Sequence, residues 1–315
     1  MIHRIPSGTR DVLPDEMREL RAITDALRGV FERHGYGEVY TPAIEYESTL
    51  RRGDGGVQPA YRVFDDHGDV LALRADNTVP IARLVATRYP NAEPPLRFCY
   101  IAHAYRDVAP HRGQMREFLQ AGIELVGAPG PSGTAEALTV LCHALDAVGL
   151  QGYRVGLGDA SLYPALLSGL GVDEEHRDRL LHELATKDFV GLEREVRELG
   201  LDTALLVGVP QLRGGPDVLD APPGPVADAL SGLRAVLDLL EPRVAERVIF
   251  DLGLARGLGY YTGAVFDVYD PALGEPLGGG GRYDDLLGRF GRDLPAVGFA
   301  IGVDRLHGAL AGEEG

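Results

Sequence analysis

The spacing of apolar residues changes several times along the chain, and each change marks an element. Between Pro14 and His34, Met17, Leu20, Ile23, Leu27, Val30 and Phe31 recur at helical intervals, which predicts an amphipathic helix stopped by Gly35. Glu38 to Ile44 reads as a short strand. Pro42 inside it cannot donate to a ladder, which puts the strand at a sheet edge or an interface. Tyr61 to Phe64 and Val70 to Leu73 predict a hairpin closed by DDHGD. Asp76, Asn77 and Thr78 are all capping types and Pro80 suits a first turn, so a helix is expected over Thr78 to Tyr89. Further helix and strand patterns cover Thr134 to Val148 and Tyr153 to Leu157, the strand ending at Gly158 and Asp159.

The strongest strand signal is LRFCYIAHAYRDVAPHRGQMREFLQAGIELVG, Leu96 to Gly127. Two strand-like runs, Arg97 to Tyr105 and Met115 to Val126, flank a polar bend. Alternate residues of a strand face opposite sides. Leu119, Ala121, Ile123 and Leu125 therefore make one wholly apolar face, and Arg116, Gln120, Gly122 and Glu124 make the other. An amide and a carboxylate either side of a glycine suggest open floor for a small polar molecule. Arg97, Arg106, Arg112 and Arg116 crowd the same hairpin and suggest an anionic group on that molecule. The competing reading is a solvated outer face, against which Gly122 counts because a glycine weakens a strand.

From about Ser161 to Arg247 the pattern turns helical and polar, broken by the loop sequence GGPDVLDAPPGP. Strand signals return at Arg247 to Leu254 and Tyr260 to Tyr269. After the glycine run from Gly278, Ala296 to Gly302 reads as a buried strand feeding a helix with Arg305 near its start. No repeat period is evident. The expected fold is α+β: a mostly antiparallel sheet flanked by helices, with residues 1–160 as the first part of the core, 161–246 as a helical insertion and 247–315 as the final strands and helix.

Composition narrows the classes. A chain of 315 residues with 45% hydrophobic and 25% charged residues suits an ordinary globular protein. No apolar run is long enough to span a bilayer and the N-terminus lacks a signal-peptide core, so a cytoplasmic protein with no membrane role is expected. Cys99 and Cys142 have no metal-ligand spacing, and neither a metal nor a cofactor is expected. The net charge of -16 argues against a nucleic-acid partner. Lys187, the single lysine, lies in a polar helical stretch and is a poor Schiff-base candidate; no P-loop lysine exists. Without that lysine, GGGGR reads more readily as close backbone approach within a sheet than as a nucleotide loop.

The polar residues at strand ends and on open strand faces form one candidate set. Asp76, Thr78, Gln120 and Glu124 suit an ammonium group, Arg106 and Arg256 a carboxylate or phosphate, and Tyr260 and Tyr261 offer hydroxyls and ring faces. Together they match what a free amino acid needs. Taken singly, each has a plainer reading as a surface residue or a cap, Thr78 above all.

These stretches resemble the catalytic core of class II aminoacyl-tRNA synthetases, histidyl-tRNA synthetase in particular. PSGTRDVLPDE, GYGEVYTPAIE, LRADNT, the central hairpin, RGLGYYTGAVF and VGFAIGVDRL carry the likeness over most of the chain. It implies a dimer formed through GYGEVYTPAIE, the second-motif arginine at Arg106 and the third-motif arginine at Arg305. The chain also departs from the pattern. Val108 and Ala109 stand where the synthetases have glutamate and arginine, Gln114 replaces a basic residue, and Gly259 replaces an acidic one before the tyrosines. The sequence ends at Gly315, and no anticodon-binding domain is expected to follow. Retained pocket positions with altered ATP positions are similar to the regulatory subunits of ATP phosphoribosyltransferase. That resemblance implies a non-catalytic partner of the short-form catalytic subunit, with L-histidine as feedback ligand. A truncated histidine-adenylating enzyme is the alternative, since Arg256 and Arg305 remain. A structural activator blind to histidine is a third reading.

Overall fold

Local chemistry accounts for the first helix. Pro14 occupies its first turn with Asp15 and Glu16, whose charges oppose the helix dipole; Leu20, Ile23, Leu27, Val30 and Phe31 are buried; and Gly35 follows at φ +80°. The computed structural model describes residues 4–54, 60–107, 115–220, 226–254 and 259–313.

In chain order the strands are β1 (Gly37–Glu38), β2 (Ile44–Tyr46), β3 (Arg62–Phe64), β4 (Val70–Leu73), β5 (Leu96–Tyr105), β6 (Glu117–Val126), β7 (Arg154–Asp159), β8 (Arg213–Gly214), β9 (Val248–Asp251), β10 (Ala264–Tyr269), β11 (Gly278–Arg282) and β12 (Ala296–Gly302). The helices are α1 (Pro14–Arg33), α2 (Glu47–Asp54), α3 (Thr78–Arg88), α4 (Gly130–Ala147), α5 (Leu162–Gly169), α6 (Glu174–Thr186), α7 (Phe189–Glu198), α8 (Thr203–Leu206), α9 (Ala227–Leu239), α10 (Pro242–Ala245) and α11 (Val303–Glu313).

Nine strands form one sheet in the order β1-β5-β6-β12-β11-β10-β7-β9-β8, and β2-β4-β3 form a small antiparallel one. The large sheet is mostly antiparallel, with parallel pairs only at β1–β5 and β7–β9 among the described residues. The expected α+β class holds.

The apolar face of β6 lies where its alternation placed it. Ala121, Ile123 and Leu125 are buried with α1, α4 and α11 in the larger core. The opposite face packs into a second core with Val79, Val85, Tyr100, Tyr260 and Tyr283. Between β7 and β9 run α5 to α10, whose buried leucines and valines join the larger core.

Several expected boundaries move. Glu38 to Ile44 is not one strand: β1 and β2 belong to different sheets, and the chain crosses between them around Pro42, which has no ladder donor. Tyr260 and Tyr261 precede β10 and do not begin it. The glycine run is itself a central strand. A Cβ at Gly280 would sit 2.0 Å from the Gly298 carbonyl oxygen, and one at Gly278 would sit 2.1 Å from that of Ala300, which explains the glycines by close backbone approach. Cys99 and Cys142 are both buried and unbridged. Lys187 is exposed at the end of α6. No helix of the described residues is long and apolar enough to cross a membrane.

Candidate functional site

The polar face of β6 is one wall of a cavity of about 460 Å³. Its register with β12 sets Gly298 beside Glu124, Ala300 beside Gly122 and Gly302 beside Gln120. Gly279 of β11 pairs with Ala300 on the same side. This row of small residues keeps the cavity open over β11 and β12. Gly122 has another role: the phenol of Tyr100, its neighbour on β5, lies where its Cβ would be, 2.6 Å from the hydroxyl. The expected open floor at Gly122 is therefore corrected; a tyrosine covers it, and the floor lies one and two strands further on.

Of the sequence-derived set, Asp76, Thr78, Arg106, Gln120, Tyr260 and Tyr261 line the cavity. Glu124 is buried behind this lining, 2% exposed, and is held by two hydroxyls. Thr78 Oγ1 donates to its Oε1 at 2.7 Å, and the Tyr283 hydroxyl donates to its Oε2. Thr78 thus does more than begin a helix. The N-cap of α3 is Asn77, which makes no side-chain cap; Asp76 Oδ1 takes the Val79 N–H at 3.2 Å. Asn77 Nδ2 in turn donates to Gln120 Oε1 at 3.4 Å. The start of α3 is tied to β6 at both polar positions. Arg256 lies outside the described residues, as do Arg112, Val108, Ala109 and Gln114.

The expected cluster of four arginines does not form a single anion site. Arg97 grips Glu136 at 2.7 and 2.9 Å, so that carboxylate already neutralises it. Arg116 precedes β6, packs against Gly8, and has Asp107 at 3.9 Å; it is absent from the cavity lining. Arg106 does line it, with its guanidinium 5.0 Å from the Phe118 ring centroid. Position 305 supplies a second guanidinium: Arg305 donates to the Pro276 carbonyl at 2.6 Å and to Glu275 Oε2 at 2.8 Å.

Burial sets the acid–base character. Desolvation pushes the Glu124 carboxyl up to about 8, aided by the nearby charge of Asp76 and opposed by the Tyr283 and Thr78 hydrogen bonds. Burial likewise raises the Tyr100, Tyr260 and Tyr283 phenols well above the usual range, so all three remain hydrogen-bond donors at neutral pH. The Tyr260 ring stands 5.0 Å from that of Tyr261 and 5.6 Å from that of Tyr283. Sequence reasoning missed Tyr283, Tyr100 and Asn77. The signal for Tyr283 is the RYDD that follows the glycine run, a tyrosine at the end of a strand.

The cavity therefore offers carboxylate, amide and hydroxyl groups for a cation, guanidinium groups for an anion, and aromatic walls. It suits a small zwitterion with a flat polar side chain better than a purely apolar or purely anionic ligand.

The family model described as histidyl-tRNA synthetase matches residues 8–306. An ATP phosphoribosyltransferase regulatory subunit of Desulforamulus reducens is 39% identical over 316 residues, covering 98% of this chain and 79% of that protein. One of Symbiobacterium thermophilum is 42% identical over 329 residues, covering 99% and 82%. A crystal structure from Bacillus halodurans, described as an ATP phosphoribosyltransferase regulatory subunit/histidyl-tRNA synthetase, superposes with TM-score 0.89 at 34% identity over 98% of this chain and 84% of that one. A histidyl-tRNA synthetase of Nostoc sp. PCC 7120 superposes with TM-score 0.82 at 24% identity over 100% and 76%, a likeness of fold.

Proposed function

The chain belongs to the histidyl-tRNA synthetase-like family of ATP phosphoribosyltransferase regulatory subunits, and from that membership we propose that it binds free L-histidine and reports it to a catalytic partner, the short form of ATP phosphoribosyltransferase. One observation carries the reading: Asp76, Thr78 and Gln120 share a cavity with Arg106, Tyr260 and Tyr261, and Glu124 is buried against that lining. The ammonium group sits among Asp76, Thr78 and Gln120. The carboxylate meets Arg106; Arg256, the other candidate, lies outside the described residues. The imidazole lies near Glu124 and Tyr261, with the Tyr261 phenol facing one ring nitrogen and the Glu124 carboxyl acting through the Thr78 and Tyr283 hydroxyls that hold it. Regulation then requires that histidine favour one state of the assembly over another. A coupling of about 1–3 kcal/mol is enough for feedback.

Isothermal titration tests the binding step. Wild type is expected to take up one L-histidine per chain, and Gln120→Ala and Glu124→Ala to lose it by at least tenfold. Absence of heat with wild-type protein sinks the reading. A second reading, histidine adenylation, draws on Arg106 and Arg305 in the same lining. Histidine-dependent pyrophosphate exchange separates the two: sustained exchange supports an enzyme, and silence alongside histidine binding supports a sensor.

We also infer that the protein dimerises through the first motif, GYGEVYTPAIE, together with the small sheet that its Ile44 joins. The register of the small sheet puts Ile44, Tyr46, Val63, Leu71 and Leu73 on one face, while Glu45 and Ala72 face inward. Ile44, Tyr46 and Val63 are exposed, and a contiguous apolar sheet face of this kind favours burial against a second copy.

A further inference from the structure

A second, smaller cavity lies between α2 and α3, outside the site described above. Its volume is about 220 Å³, and Ser48, Thr49, Arg52, Arg83, Ala86, Thr87 and Phe290 line it. Helical spacing explains the arrangement. Ser48, Thr49 and Arg52 fall three and four residues apart on α2, and Arg83 and Thr87 four apart on α3, so each group shares one helix face. Phe290 comes from the turn Leu287–Phe290, which is fastened to α2 by Arg289 donating to the Gly53 carbonyl at 2.6 Å.

The balance of charge in this cavity is unusual for a chain of net charge -16. Two guanidinium groups line it and no carboxylate does. Of the nearest acids, Glu45 neutralises Arg83 itself, which leaves Arg52 as the net charge of the cavity, and Glu47 is engaged elsewhere. Glu45 takes the Arg83 Nε at 2.6 Å, and Glu47 takes Arg51 at 3.1 Å and Arg62 at 2.6 Å. The Arg83–Glu45 pair uses Nε and so fixes that guanidinium, with no bond to its terminal nitrogens among the described residues. Arg52 has no hydrogen bond or ion pair among the described residues. Ser48 and Thr49 add hydroxyl donors. Thr87 does not, because its hydrogen goes to the Arg83 carbonyl at 2.8 Å.

We propose that this cavity is a binding site for a small tetrahedral oxyanion, phosphate or a phosphoryl group, held by Arg52, the terminal nitrogens of Arg83 and the hydroxyls of Ser48 and Thr49. Arg52 supplies the net positive charge, and the planar forks of Arg52 and of the Glu45-bound Arg83 can each take phosphate oxygens in pairs. A tetrahedral anion has oxygens enough for both forks and the two hydroxyls, whereas a carboxylate has two oxygens only. The volume accommodates phosphate with a few waters, each needing about 30 Å³. A nucleoside attached to the phosphoryl group would have to lie outside.

The test is titration of the full chain with inorganic phosphate at low ionic strength, with sodium chloride matched in both solutions. One saturable site per chain is expected. Arg52→Ala, at an exposed residue with no hydrogen bond or ion pair among the described residues, should weaken it at least tenfold while leaving the melting temperature unchanged, and Arg52→Lys should recover part of the loss. Arg106→Ala and Arg305→Ala in the larger cavity should leave phosphate affinity intact. A parallel titration with AMP identifies the source: equal affinity means that the phosphoryl group alone is read, and failure of AMP to bind means that only the free anion fits. The proposal is overturned by absence of saturable phosphate binding, by binding that Arg52→Ala does not weaken, or by binding lost instead in Arg106→Ala.

Discussion

Glu124 is a single residue whose environment reverses its usual behaviour. A carboxyl is ordinarily ionised at neutral pH, but here burial holds it up to about 8. Between its ordinary value of 4.5 and about 8, the folded chain keeps a proton that the unfolded chain releases. Stability from this group is therefore complete below the lower value and is lost as pH rises through the upper one, at about 1.4 kcal/mol per unit where the shift is fully expressed. Glu124→Gln keeps the shape and removes the titration. Urea unfolding at several pH values from 5 to 8 should show wild type losing stability across that range relative to Glu124→Gln; parallel profiles would contradict this assignment of the proton.

Among the elements, β11 and β12 matter most because their glycines do two different jobs. At Gly280 a Cβ would meet the backbone of β12, so Gly280→Ala should cost about 3 kcal/mol or more of stability, read as a lowered urea midpoint. At Gly298 a Cβ would come within 1.9 Å of Glu124 Oε2, a side-chain atom beside the site, as well as 2.5 Å from the Ile123 carbonyl oxygen of β6, so this glycine serves the site in addition to backbone packing. Gly298→Ala is expected to displace that carboxyl and abolish histidine binding by titration even where far-ultraviolet circular dichroism is native. If Gly298→Ala binds histidine as wild type does, Glu124 is not held as described. The sequence pattern marked β12 as a buried strand and the glycine run of β11 only as a place of close backbone approach. It could not separate the two roles, because register between strands distant in the chain decides which atom a Cβ meets.

For the molecule as a whole, the proposed dimer rests on the outer face of β2, β3 and β4. Tyr46→Asp combined with Val63→Asp places two charges on that face. The double variant is expected to elute as a monomer, with mass confirmed by light scattering, where wild type elutes as a dimer. Both positions are exposed in the single chain, so the fold of each subunit should survive. A monomeric wild type, or a variant that stays dimeric, would move the interface elsewhere. Loss of feedback in the monomeric variant, measured as histidine inhibition of the catalytic partner, would link this face to signalling.

Local signals of periodicity, capping and turn residues determined much of this protein: α1, the β3–β4 and β5–β6 hairpins, α3, and the division of β6 into an apolar and a polar face. These depend on residues near one another in the chain, where local geometry fixes which side chains share a side. Asp76, Thr78 and Gln120 were legible for the same reason, as polar residues at strand ends and on an otherwise buried strand. Only the tertiary structure decided that Tyr100 covers Gly122, that Tyr283 and Thr78 share Glu124, and that Arg97 is neutralised by Glu136. Each of these contacts joins residues many positions apart, and no spacing rule within a single element encodes the packing that brings them together.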